Sequence, residues 1–259
     1  IWAAVFWTAA RNAPTSGPMP TLGAMLHVLT GSRTAWYLSA FYFLTFGGFV
    51  AFSIYLPTLL KDDFGLAPGD AGFRTAGFVV LATLMRPVGG LLSDRIGGAR
   101  VLSGVFMGIA PFAVLMAWQS MLPFTVGALG CATLLGLGNG AVFKLVPQSF
   151  PGQTGTVTGL VGAMGGLGGF FPPLLLGVFR DRMDAVWPAF VLLAATSVCL
   201  AVLNHRVFLP KEIELESLMT PAFRRRADQL RAAAWATMMT ALLCAAIVVG
   251  SRNLQNFDA

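Results

Sequence analysis

Pro123 to Pro147 reads PFTVGALGCATLLGLGNGAVFKLVP. It carries one charge, Lys144, close to its end. At 1.5 Å rise per residue it is long enough to cross the roughly 30 Å hydrocarbon core of a bilayer. Inside lipid every backbone polar group must bond within the protein, so a run of this kind crosses as a helix. The same pattern recurs on both sides. Trp36 to Leu60, Ala71 to Ser93 and Val101 to Trp118 precede it, and Gly155 to Phe179 and Val186 to Leu203 follow. Charged or polar punctuation separates them: Lys61-Asp62-Asp63, Asp94-Arg95, Gln148 to Gln153, Arg180-Asp181-Arg182 and Asn204-His205-Arg206. The predicted fold class is all-α, a polytopic transmembrane helical bundle built on six spans.

Composition agrees with that reading and excludes others. The 259 residues are 56% hydrophobic and 11% charged, with mean hydropathy +0.74. Soluble chains carry roughly 25% charged residues, so no ordinary soluble enzyme has this surface. Disorder needs the opposite composition. The net charge of +6 suggests nucleic acid, but the basic residues are scattered between apolar runs and form no aromatic-interleaved basic face. Cys131, Cys199 and Cys244 lie in apolar runs without metal spacing and read as buried small hydrophobes. No metal and no cofactor is implied. Gly165-Gly166-Leu167-Gly168-Gly169 lacks the Lys-Ser/Thr and the preceding strand of a nucleotide loop.

The ends of the chain read differently. Residues 1–34 begin with Ile, and Ile1 to Ala10 is apolar over half a bilayer. This stretch reads as the end of a spanning helix that starts before Ile1, followed by a cytoplasmic connection. Residues 35–210 form the six-span unit. Residues 211–259 open with a charged, interfacial stretch. Ala232 to Gly250 is then a further apolar run, either an extra anchor or the first helix of another domain. Basic residues orient the bundle, because Lys and Arg gather on the cytoplasmic side. Arg11, Arg33, Arg95, Arg100, Arg206, Lys211, Arg224, Arg225, Arg226 and Arg231 fall on one side and outnumber Lys61, Arg74, Arg180, Arg182 and Arg252 on the other.

Two basic residues remain inside spans. A charge at mid-membrane costs at least about 2.5–3.5 kcal/mol, so it usually faces a polar cavity and serves a purpose. Arg86 lies deep in the second span, before Pro87. It either bonds carbonyls freed by the proline or binds substrate. Its planar fork donates two parallel hydrogen bonds and keeps its proton, which suits a small oxyanion. Lys144 is near enough to a span end to snorkel. Tyr42, Phe46, Phe49 and Ser53 share one helical face, which is either packing or an aromatic wall against a planar ligand. Gly155 to Gly169 is dense in glycine at spacings that let helices approach closely in lipid, and Pro172-Pro173 marks a kink. Asn139 sits among the glycines of the fourth span and needs partners inside the bundle.

Gly90-Leu-Leu-Ser-Asp94-Arg95-Ile-Gly97-Gly98-Ala-Arg100 resembles the G-x-x-x-D-R-x-G-R/G-R loop of the major facilitator superfamily, found between the second and third helices of each six-helix half. It departs from that pattern at Gly98, where a basic residue is frequent. Gly138-Asn139-Gly140-Ala-Val-Phe-Lys144-Leu-Val-Pro147, with the glycine-rich run from Gly155 to Pro172, is similar to the nitrate/nitrite porter branch. The resemblance covers about residues 1–210, as the end of helix six through helix twelve, and leaves the tail outside. It implies the C-terminal six-helix half of a transporter that moves nitrate or nitrite across the cytoplasmic membrane by alternating access, not an enzyme. It also implies a partnering N-terminal half that supplies a second Arg, so this chain alone is not expected to transport.

The expected substrate-binding residues are Arg86, Tyr42, Phe46, Asn139, Gly165 and Gly166. Asp94, Arg95, Gly162 and Gly169 are the expected gating residues, with Lys144 as a coupling candidate. Permanently charged arginines favour nitrate/nitrite exchange, as an antiporter, whereas the Phe-Lys144-Leu-Val-Pro form looks like assimilatory uptake by symport with protons. Transport of another small anion, and a sensor or assembly subunit that does not transport, are the alternatives.

Overall fold

The computed structural model describes residues 30–118 and 120–217, with positions 6, 7, 21 and 23. Eight helices follow in order among the described residues: α1 (Arg33–Phe64), α2 (Pro68–Ile96), α3 (Gly98–Met116), α4 (Met121–Ser149), α5 (Thr154–Gly168), α6 (Phe171–Met183), α7 (Trp187–Val207) and α8 (Leu209–Ser217). Six segments are long and apolar enough to cross a membrane, with α5 and α6 together forming one of them. The chain is a multi-pass membrane protein. The expected run from Ala232 to Gly250, with Cys244, and most of Ile1 to Ala10 lie outside the described residues.

α1, α2 and α4 extend past the expected spans at both ends, because flanking polar residues continue the backbone ladder, whereas α3 stops short of Trp118. α1 stops at Gly65, whose φ of 65° is the left-handed conformation that closes a helix. α2 starts at Pro68, which needs no N–H partner in a first turn. The fifth span is corrected from one kinked helix to two. The break falls at Gly169 and Phe170, just ahead of Pro172 and Pro173. Those prolines cannot donate to the preceding turn, so the ladder ends before them and α6 begins with them in its first turn. α8 runs across Pro210 from Leu209.

α4 is the centre of the bundle. Of its apolar window 67% is buried, against 28% for α2. It packs on α2 and α3 and also meets α1. Glycine makes the crossings close. A methyl on Gly136 would meet the Ala82 carbonyl and sit 2.7 Å from Met85 Cβ. A methyl on Gly140 would meet the Arg86 carbonyl, and one on Gly89 would sit 2.7 Å from Leu137 Cα. A second close crossing joins α1 to α5, where a methyl on Gly47 would lie 2.5 Å from the Gly168 carbonyl carbon. With lipid outside as apolar as the core, such backbone proximity supplies the packing that holds spans together.

Interhelical hydrogen bonds pin α7 to α3. Ser197 Oγ donates to the Phe106 carbonyl at 2.5 Å. Asn204 Nδ2 donates to the Ala99 carbonyl at 2.7 Å and to Ser103 Oγ at 2.8 Å.

Candidate functional site

The crossings of α2 with α4 and of α1 with α5 bring one group of side chains together. Arg86, from α2, lays its guanidinium against α1. Its Cζ is 4.4 Å from the Phe49 ring centroid and 5.3 Å from that of Phe46. Tyr42 stacks on Phe46 at 5.0 Å with 6° between the planes, and Phe143 of α4 meets Tyr42 edge-on at 4.7 Å. Phe46 and Phe49 follow at 6.1 Å. The expected aromatic face is therefore a wall lying along a cation.

The wall is pressed from behind. A methyl on Gly165 of α5 would run into the Tyr42 ring and lie 3.2 Å from Phe46. Only hydrogen fits there, so Gly165 sets how far the aromatic pair stands from α5. Gly169 similarly touches Val50, at 2.7 Å from its added methyl. Gly162 and Gly166 do not share this role. Nothing lies within 4 Å of a methyl at either, and Gly155 and Gly159 on the same helical face are equally open. The glycine-rich helix thus has two faces, one welded to α1 and one that no described residue approaches.

Several buried polar groups lack partners among the described residues. Arg86 Nε and Nη2 are buried without a hydrogen bond, as are both amide atoms of Asn139, which is 3% exposed. Among the described residues these two Arg nitrogens donate to no carbonyl, including those freed by Pro87. They form the edge of the guanidinium that donates two parallel bonds to an oxyanion. A buried unmet donor costs about 1–3 kcal/mol, more when charged, whereas a desolvated cation–π contact returns about 2 kcal/mol. The aromatic wall offsets part of the burial cost, and an anion across the fork would offset the rest.

The remaining expected residues are placed elsewhere. Ser53 donates its hydroxyl to the Phe49 carbonyl at 2.7 Å and is occupied by its own helix. Lys144 forms an ion pair with Asp94, tying the end of α4 to the end of α2. Arg95 beside it is exposed. Phe143 was not among the expected site residues. Its signal is its spacing of four from Asn139, which puts both on one face of α4.

Six candidate membrane spans, five of them around the central glycine-crossed α4, with a guanidinium in the middle of a span that lacks partners for Nε and Nη2 among the described residues, define a polytopic membrane bundle. The chain belongs to the Major Facilitator Superfamily, whose family model matches residues 19–255. Membership accords with a transporter rather than an enzyme.

Curated relatives narrow the resemblance. Over 174 residues the chain is 47% identical to the "Nitrite extrusion protein" of Bacillus subtilis, covering 59% of this chain and 44% of the relative. It is 42% identical over 178 residues to the "Probable nitrate transporter NarT" of Staphylococcus haemolyticus, covering 68% and 46%. It is 40% identical over 195 residues to the protein of the same name from Staphylococcus epidermidis, covering 75% and 50%. The chain spans about half the length of these relatives.

Proposed function

We propose that this chain is one half of a nitrate/nitrite transporter of the cytoplasmic membrane, working with a second six-helix half. The carrying observation is the Arg86 fork, buried against Phe46 and Phe49 with Nε and Nη2 unpartnered. The names of the relatives supply the substrate. Nitrate and nitrite are flat and singly charged. They fit side-on against two parallel N–H donors while their faces lie along Tyr42 and Phe46. Asn139 adds an amide donor at the same depth. A second cation from the partnering half completes the clamp, and the halves rock about it. The open face of α5 with Gly162 and Gly166 meets the other half, while Gly165 and Gly169 keep the aromatic wall in place.

The end of the bundle with Asp94, Arg95 and Lys144 faces the cytoplasm, following the distribution of Lys and Arg. There the Asp94–Lys144 pair and the exposed Arg95 make the latch that opens and closes the path. Nitrate/nitrite exchange fits better than proton symport on one observation. Lys144 is engaged by Asp94, and among the described residues the carboxylates lie at helix ends, away from Arg86. A permanently charged, empty site is costly to return across the membrane, so a counter-anion carries it back.

The experiment is nitrate uptake into proteoliposomes by the full-length transporter. Internal nitrite is expected to accelerate uptake, and a pH gradient is expected to leave it unchanged. Uptake driven by the pH gradient alone overturns exchange and favours symport. No nitrate or nitrite uptake under either condition, with uptake of another small anion, overturns the substrate.

A further inference from the structure

At the end of the last candidate span, which runs Trp187–Glu214, Glu212 of α8 turns back onto the start of α3. Its Oε2 accepts from the Ala99 N–H at 2.8 Å and its Oε1 from the Arg100 N–H at 3.4 Å. The Arg100 guanidinium lies 3.7 Å from Oε1, with both side chains largely sheltered. The first N–H groups of a helix have no partner inside it and carry the positive end of its dipole. α3 has no cap from its own sequence, since its N-cap is Gly97 with no side chain. The cap arrives instead from Glu212, remote in the chain.

Gly97 is shaped for this arrival. Its φ is 96°, a conformation that other residues adopt rarely. A methyl there would collide with the Glu212 carboxylate, 2.6 Å from Oε2 even at its farther oxygen. The loop from Ile96 to Gly98 therefore holds a left-handed glycine where the tail helix docks. The same loop follows Asp94, which is paired with Lys144. α8 packs on α3 and α7, and this carboxylate gives it a specific hold on the start of α3.

We propose that Glu212 is a positioning residue for transport: through α8 it holds the α2–α3 loop in one arrangement, and its release is a step of the transport cycle. This rests on the transport reading. Glu212 lies at the end of the bundle while Arg86 lies mid-span, so the residue acts on the rate of the movement and not on substrate affinity.

The test uses the full-length transporter with Cys131, Cys199 and Cys244 replaced by alanine and Ala99→Cys as reporter, in inside-out vesicles. Ala99 is fully buried. Glu212→Gln keeps an acceptor and drops the charge, while Glu212→Ala drops both. Maleimide labelling of the reporter thiol is expected to rise in that order, at least threefold for Glu212→Ala. In the same background without the reporter, the maximum nitrate transport rate is expected to change at least threefold while KM moves less than twofold. Unchanged labelling overturns the anchor. Raised labelling with an unchanged rate overturns its part in the cycle, and a KM that rises in parallel overturns the positioning role.

If Glu212→Ala does not fold, the pair Gly97→Cys and Glu212→Cys decides. Oxidation is expected to cross-link it and stop transport, with recovery on reduction. No cross-link, or transport that continues while cross-linked, overturns the proposal. Labelling and cross-linking read the anchor whether or not nitrate moves. Loss of the transport reading is seen instead as no uptake by the unmodified protein.

Discussion

Lys144 on α4 pairs with Asp94 at the end of α2, joining a residue of the glycine-crossed central helix to the loop that follows α2. Both side chains are partly exposed, at 36% and 51%. Exposed pairs are worth about 0–1 kcal/mol. Lys144→Ala is therefore expected to lower thermal stability in detergent only slightly, and nitrate affinity is expected to stay near that of the parent. The charge-reversed pair Asp94→Lys with Lys144→Asp is expected to recover more transport than either single change. Loss of nitrate binding in Lys144→Ala, measured by calorimetry, would place this lysine in the substrate site and sink the latch assignment.

Arg86→Lys keeps a charge but loses the fork. One charge-assisted hydrogen bond of the pair disappears, worth about 2 kcal/mol, so nitrate is expected to bind roughly thirtyfold more weakly. Equilibrium binding to the purified full-length transporter checks this. Affinity unchanged within a factor of two would show that no bidentate contact exists.

Gly165→Ala drives a methyl into Tyr42 and Phe46, whereas Gly162→Ala meets nothing among the described residues. Overpacking of a tight contact costs about 1–3 kcal/mol. Gly165→Ala is expected to weaken both stability and nitrate binding, because the aromatic wall must move. Gly162→Ala is expected to leave binding intact and to slow transport, if the open face meets the proposed second half. Thermal unfolding and binding measured side by side distinguish the two, and equal behaviour would refute the two-faced reading of α5.

Asn139→Leu removes two buried amide atoms that have no partner in the described structure. Replacing an unsatisfied polar group with an apolar one of similar shape is neutral or stabilising. The variant is expected to melt no lower than the parent while its nitrate transport falls at least tenfold. A drop in melting temperature of several degrees would mean that Asn139 holds the fold and not the ligand.

The sequence by itself determined the spans, because hydropathy over about twenty residues is a local property set by the thickness of lipid. It also singled out Arg86, since a charge mid-span is visible without any neighbour. The pairing of Tyr42 with Phe46 was legible for the same reason, as four residues is one helical turn. Only the tertiary structure decided which contacts these residues make. Gly165 and Gly166 are adjacent in sequence, yet one presses on Tyr42 and the other faces open space, because a step of one residue turns a helix by about 100°. Lys144 was legible as a cation near a span end, but its partner Asp94 lies on another helix. Phe143 carries only its spacing from Asn139 as a local signal, and Glu212 carries none. Their places depend on where α4 crosses α1 and where α8 folds back under α3, and a crossing is set by packing between distant segments.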